Sequence, residues 1–168
     1  MYVFLIPQYT SIFDIWKGAQ RRLLKNKKYA IVQIMENKQI KVLVVEDEII
    51  LQNLIYSKLV KRNFSVVYSR TAAQALKYLE DNKDIDIIWL DHYLLGKDDG
   101  LDFVAKVKEN PDWKHIPIFL ISNSASDDKV QAYLQLGVDK YFIKSNYTLD
   151  NIIDDMEKYV SEKESKNT

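Results

Sequence analysis

From Ile40 to Val160, short apolar runs alternate with stretches whose apolar residues recur every three or four positions. Ile40 to Val45 is apolar and β-branched apart from Lys41, as in a strand buried on both faces of a parallel sheet. After the acidic Glu46, Asp47 and Glu48, apolar residues at Leu51, Leu54, Ile55 and Leu59 keep helical spacing until Asn63. Phe64 to Tyr68 is the second expected strand. A helix follows with Ala72, Ala75, Leu76 and Leu79 inward and Thr71 placed to cap it. Ile85 to Leu90 is the third strand and ends in Asp91; a loop with Gly96 and Gly100 leads to a helix carrying Leu101, Val104 and Val107, which Pro111 ends. Pro117 to Ile121 predicts the fourth strand, a helix from about Ser126 is stopped by Gly137, and Tyr141 to Ile143 lies in the fifth strand. Leu149, Ile152, Ile153, Met156, Tyr159 and Val160 give a last helix one apolar face.

Strands alternating with helices specify an α/β fold: a doubly wound, five-stranded parallel sheet with helices on both faces. In such a sheet the chemistry belongs outside the carboxyl ends of the strands, near the point where strand order reverses.

The 168 residues suit one domain with an appendage rather than two full-sized domains. With no cysteine, a disulfide framework, a zinc–thiolate site and a thiol nucleophile are excluded, and a reducing, cytoplasmic setting is the simplest expectation. No apolar run approaches the ~18 residues of a membrane-spanning helix. The zero net charge conceals an asymmetry, because residues 1–34 hold six basic side chains against Asp14 alone. The chain therefore divides into a basic extension (1–34), a main domain (35–160) and a polar tail (161–168). The main domain is mildly acidic and offers no basic stripe for a nucleic-acid backbone.

Three readings of residues 1–34 stand side by side. They are a loosely packed extension, or sequence upstream of a start at Met35, or an amphipathic helix. In the last case Ile12, Ile15, Trp16, Ala19 and Leu23 oppose a basic face suited to an anionic membrane or a partner. The segment does not read as a signal peptide, because its charges follow the apolar stretch Tyr2 to Pro7.

The strand ends carry the candidate chemistry. Glu46 and Asp47 end the first strand, Asp91 the third, Ser122 the fourth and Lys144 the fifth, so all five converge on one sheet edge. Carboxylates held together repel, which raises the proton affinity of at least one unless a cation intervenes. Oxygen ligands of this kind suit Mg²⁺. A carboxylate beside that metal can attack a phosphoryl group, with Lys144 and the Ser122 hydroxyl orienting the transferred oxygens. His92 is expected to point away from its neighbour Asp91 and to stand by, His115 to lie on the surface, and two separated histidines make no zinc motif.

The motifs VLVVEDE at 42–48, DIIWLD at 86–91, IPIFLIS at 116–122 and VDKYFIK at 138–144 resemble the receiver domain of two-component response regulators, of the stand-alone type. The resemblance implies a flavodoxin-like sheet of order 2-1-3-4-5. It makes Asp91 the phosphoacceptor, and Glu46, Asp47, Asp91 and the backbone carbonyl of Tyr93 the Mg²⁺ ligands. Ser122 becomes the switch hydroxyl, Lys144 the phosphate-binding lysine and Tyr141 the switch aromatic. The chain departs from the family habit at Ser145, where proline commonly follows the lysine, at Leu95, where proline is frequent, and at Gly100, which falls one residue later than usual.

The function implied is a phosphorylation-dependent switch that takes a phosphoryl group from a histidine kinase or phosphotransfer protein. It is not otherwise an enzyme: its chemistry is self-phosphorylation and slow self-dephosphorylation at Asp91. Only 24 residues follow Lys144, so output is expected in trans, through the surface of the fourth helix, fifth strand and fifth helix. Relay intermediate and terminal switch are equally compatible with these residues. A haloacid-dehalogenase-like, Mg²⁺-dependent phosphohydrolase would place an aspartate two residues after the nucleophile, where this chain has Tyr93. A phosphate-independent interaction module is the third reading.

Overall fold

In a computed structural model of the chain, residues 17, 20–25, 39–82, 84–95, 99–123 and 127–166 are described. Two units separate, Met1–Lys38 and Gln39–Thr168. In the first, residues 20–25 are helical and exposed, while Ile12, Ile15, Trp16 and Ala19 of the expected amphipathic pattern lie outside the described residues, as do Gly96 and Ser126. Among the described residues no helix is long and apolar enough to cross a membrane.

The second unit contains β1 (Lys41–Val45), α1 (Ile49–Lys61), β2 (Ser65–Ser69), α2 (Ala72–Asp81) and β3 (Ile87–Asp91). It continues through α3 (Gly100–Glu109), β4 (Ile118–Ser122), α4 (Asp127–Gln135), β5 (Lys140–Ile143) and α5 (Leu149–Lys166). The five strands form one parallel sheet in the order β2-β1-β3-β4-β5. The expected flavodoxin-like order is therefore the observed one. Strand ends differ from the sequence reading by a residue or two: β3 and β4 run on to include Asp91 and Ser122, because the polar residue still joins the ladder, Asp91 opposite Ile121. The last helix continues past Val160 to Lys166; its apolar face ends there, but Glu162 and Lys163 favour helix and Lys158 pairs with Glu162 one turn on.

Alternation along each strand divides the core in two. Val42 and Val44 of β1, Ile87 and Trp89 of β3, and Phe119 and Ile121 of β4 pack with Ile55 and Leu59 of α1 and Ile152, Ile153 and Met156 of α5. Leu43, Val45, Ile88, Leu90, Ile118 and Leu120 face the opposite way, against α2, α3 and α4. Both faces are covered, which is why these strands read as unbroken apolar runs.

Caps fix the helix ends. Thr71 Oγ1 accepts from Gln74 N at 3.1 Å, and Asp99 and Asp102 form a reciprocal capping box at the start of α3. After α4, Gly137 at φ +91° lets Val138 N donate to Tyr133 O and Gly137 N to Leu134 O, the paired bonds of a Schellman ending. Asn63 at φ +63° does the same after α1, the short polar side chain being tolerated in the left-handed region.

Candidate functional site

The strand order reverses between β1 and β3, and the polar residues expected there meet at the carboxyl ends of those strands. Glu46, directly after β1, is buried; Asp47 is half-buried; Asp91, the last residue of β3, is buried. Each offers a carboxylate oxygen within 4.8 Å of the others. Lys144, directly after β5, reaches across β4: its Nζ donates to Asp91 Oδ2 at 2.8 Å and to Glu46 Oε2 at 3.3 Å. The second Asp91 oxygen, Oδ1, is buried with no hydrogen-bond partner.

Backbone and neighbouring side chains hold this cluster. Glu46 N donates to Ser69 O at 3.1 Å, extending the β1–β2 ladder by one bond, and Glu48 N donates to Glu46 Oε1 at 3.2 Å. Lys144 N donates to Ser122 O at 2.8 Å, so the lysine leaves the sheet still tied to β4, and Asn146 N closes a turn onto Ile143 O at 2.9 Å. With Ser145 in the place where proline is common, the described residues contain no cis peptide.

Burial and the charge of Asp91 push the Glu46 carboxyl up from 4.5 to about 7, against the pull of Lys144. The crowding expected of these acids therefore falls on Glu46. Lys144 shows the opposite balance: burial alone would lower its proton affinity, but its bond to Asp91 and the charges of both acids raise it. The ammonium is thus held in its charged form beside the acids.

Ser122 is buried at the end of β4. Tyr141 is half-buried on β5, paired with Leu120 two residues before Ser122, and packs on the α4 side of the sheet. Tyr93 is exposed on the loop after Asp91, with Lys129 Nζ 5.4 Å from its ring centre. His115 is exposed, as expected.

Three contributors escaped the sequence reading. Gln52 is buried, and its Nε2 donates to Glu46 O at 3.2 Å; a glutamine beside Ile55 and Leu59 on the inward face of a helix is a signal that was there to be read. Arg70 Nε donates to Asp47 O at 3.1 Å from the end of β2, which no spacing in the sequence reveals. His92 makes no contact with the acids, as expected, but it is buried, with Nδ1 2.5 Å from Tyr133 Oη and Nε2 3.0 Å from Lys129 Nζ, both on α4, and these partners no spacing reveals.

The chain is similar to known proteins in sequence and in fold. Residues 42–157 match the family model described as "Response regulator receiver domain". The two-component response regulator ORR12 of Oryza sativa subsp. japonica is 27% identical over 103 residues, 61% of this chain and 84% of its own length. Among solved structures, the phosphorylated cyanobacterial phytochrome response regulator RcpA is 29% identical, with a TM-score of 0.62 over 70% of this chain and 88% of that one. The Mn²⁺-bound form of response regulator Rcp1 is also 29% identical, with a TM-score of 0.60 over 66% of this chain and 85% of its own. Since the family match runs from the first strand into the last helix and takes in all three acids of the cluster, the chain belongs to the response regulator receiver domains of two-component signalling.

Proposed function

We propose that this receiver is a phosphorylation-dependent switch in which Asp91 accepts a phosphoryl group from a histidine kinase or phosphotransfer protein. The observation that carries the reading is the Asp91 carboxylate itself: one oxygen is bonded to Lys144, and the other is buried, unpartnered and beside Glu46 and Asp47. A carboxylate so placed has a free lone pair and a cation already at hand. That RcpA was solved phosphorylated and Rcp1 with Mn²⁺ supports the reading.

In the transfer an Asp91 oxygen attacks the phosphorus of a phosphohistidine. The phosphorus–nitrogen bond breaks as the oxygen–phosphorus bond forms, and its electron pair leaves with the imidazole. Lys144 balances the charge gathering on the phosphoryl oxygens, and the Ser122 hydroxyl bonds one of them. Glu46, Asp47, Asp91 and the backbone carbonyl of Tyr93 would hold Mg²⁺; the oxygen-only donors and the orphaned Asp91 Oδ1 fit such an ion. Bound there, it supplies positive charge that offsets the carboxylates and the incoming phosphoryl group. The phosphorylated state then favours one arrangement of Ser122 and Tyr141, and through it a target protein that meets α4, β5 and α5.

Acetyl phosphate with Mg²⁺, read by intact mass, tests this. The native chain should gain one phosphoryl group and Asp91→Asn none. A native chain that stays unmodified, yet still binds its partners, would instead be a phosphate-independent module. Onward transfer to a second phosphotransfer protein would mark a relay intermediate, and its absence a terminal switch.

A further inference from the structure

The strongest feature left unused by the acid cluster is the junction formed by His92, Lys129, Tyr133 and Gly100. His92 follows Asp91 directly, and both of its ring nitrogens are engaged by α4, through Lys129 and Tyr133, which stand one helical turn apart. Its ring also meets Tyr133 edge-on, centres 5.5 Å apart at 90°, and Tyr93 at 4.5 Å. The Tyr133 hydroxyl sits against the first residue of α3: a Cβ on Gly100 would come within 2.5 Å of that oxygen and 3.1 Å of His92 O. The end of β3, the start of α3 and the inward face of α4 thus meet at one hydroxyl.

The protonation pattern follows from the donor inventory. An ammonium has only donors, so Nε2 of His92 accepts from Lys129, and the ring proton resides on Nδ1 and is donated to Tyr133 Oη. Burial and the nearby Lys129 charge lower the proton affinity of His92, in keeping with a neutral ring.

We propose that His92 is a positioning residue that ties α4 to the phosphoacceptor strand, so that a shift of the β3 end on phosphorylation reaches α4 through the His92–Tyr133 bond, in parallel with Ser122 and Tyr141. The proposal rests on the reading of Asp91 as phosphoacceptor. Asp91 closes β3 and His92 is the next residue, at the bend that leaves the strand, and the two side chains have separate partners: one addresses Lys144 and the acids, the other addresses α4. Displacing the backbone between them moves both.

The test uses the full chain in four forms: native, Tyr133→Phe, Gly100→Ala and His92→Gln. Tyr133→Phe keeps the ring and removes only the hydroxyl; Gly100→Ala displaces that hydroxyl by its Cβ; His92→Gln retains a donor toward Tyr133. Imidazole nitrogen resonances should show the Nδ1–H tautomer of His92 in the native chain and, since Lys129 still donates to Nε2, in Tyr133→Phe as well. Acetyl phosphate should modify all four chains alike. The change in amide hydrogen exchange over 127–135 on adding beryllofluoride should fall by about 5-fold or more in Tyr133→Phe and Gly100→Ala, and be largely kept in His92→Gln. An undiminished α4 response in Tyr133→Phe, or a native His92 carrying its proton on Nε2, overturns the proposal. If the native chain takes no phosphoryl group, the phosphoacceptor reading fails instead. The contact is then judged without it, by the tautomer and by faster resting exchange of α4 in Tyr133→Phe; unchanged resting exchange there would overturn the proposal as well.

Discussion

The Lys144 ammonium lies 2.8 Å from one oxygen of Asp91, and the other oxygen of the same carboxylate has no partner. The same ammonium thus serves two acids of a crowded pocket, with Glu46 as its weaker partner at 3.3 Å. Lys144→Ala strips the pocket of this charge and leaves Asp91 buried and unpaired. Without metal the variant should lose roughly 3 kcal/mol of stability, while Mg²⁺ should bind as well as before or better. Thermal melts with and without Mg²⁺ check both parts.

Asp91→Asn acts the other way. It removes one negative charge at constant size, and the amide oxygen can still accept from Lys144, so the metal-free variant should be at least as stable as the native chain. Mg²⁺ at ten times its dissociation constant should stabilise the native chain by about 1.4 kcal/mol, a rise of roughly 2 to 6 °C in Tm. In Asp91→Asn, and in Asp47→Asn, that rise should shrink, because an oxygen ligand is weakened. An absent Mg²⁺ response in the native chain would remove the case for a metal site.

Glu46 gives the metal-free domain a pH dependence of definite sign. Its carboxyl titrates at about 7 when folded and at 4.5 ordinarily, so between those values the folded chain holds more protons than the unfolded one. The contribution of this group is greatest below about 4.5 and is lost as pH rises through about 7, a change on the order of 3 kcal/mol. Glu46→Gln should flatten that slope. Urea melts of both chains at about pH 5 and about pH 8 give the comparison.

Tyr93 is held on the loop beside Asp91 by His92 and Lys129. A bulky ring there would limit the approach of hydrolytic water to the phosphoryl group proposed on Asp91. Tyr93→Asn should shorten the life of the phosphorylated state several-fold, measured as decay of the phosphorylated mass; an unchanged or longer life sinks the idea.

All five strands and all of the acid cluster lie within Gln39–Thr168. A chain beginning at Met35 should therefore fold cooperatively and accept phosphate as the full chain does. Loss of cooperative unfolding would make residues 1–34 integral to the domain. Binding of anionic vesicles by the full chain alone would assign those residues a membrane role.

The alternation of elements, the two-faced burial of the strands and the place of Glu46, Asp47, Asp91, Ser122 and Lys144 at strand ends were legible in the sequence. Hydrophobic period and turn residues are local signals, and the rules of parallel sheets then carry strand ends to one edge. How the cation divides itself between Asp91 and Glu46 was not legible, nor which acid is pushed up. Those depend on a few ångströms between residues 53 and 98 positions apart. His92 shows the same limit more sharply. Alternation correctly turned it away from Asp91, but its partner Tyr133 is 41 residues on, and only the rotation of α4 about its axis, set by packing against β3 and β4, brings hydroxyl and imidazole together over a glycine with no Cβ to bar the way. Periodicity tells which face of a helix is inward; the packed core decides which atom on that face meets which atom on the strand.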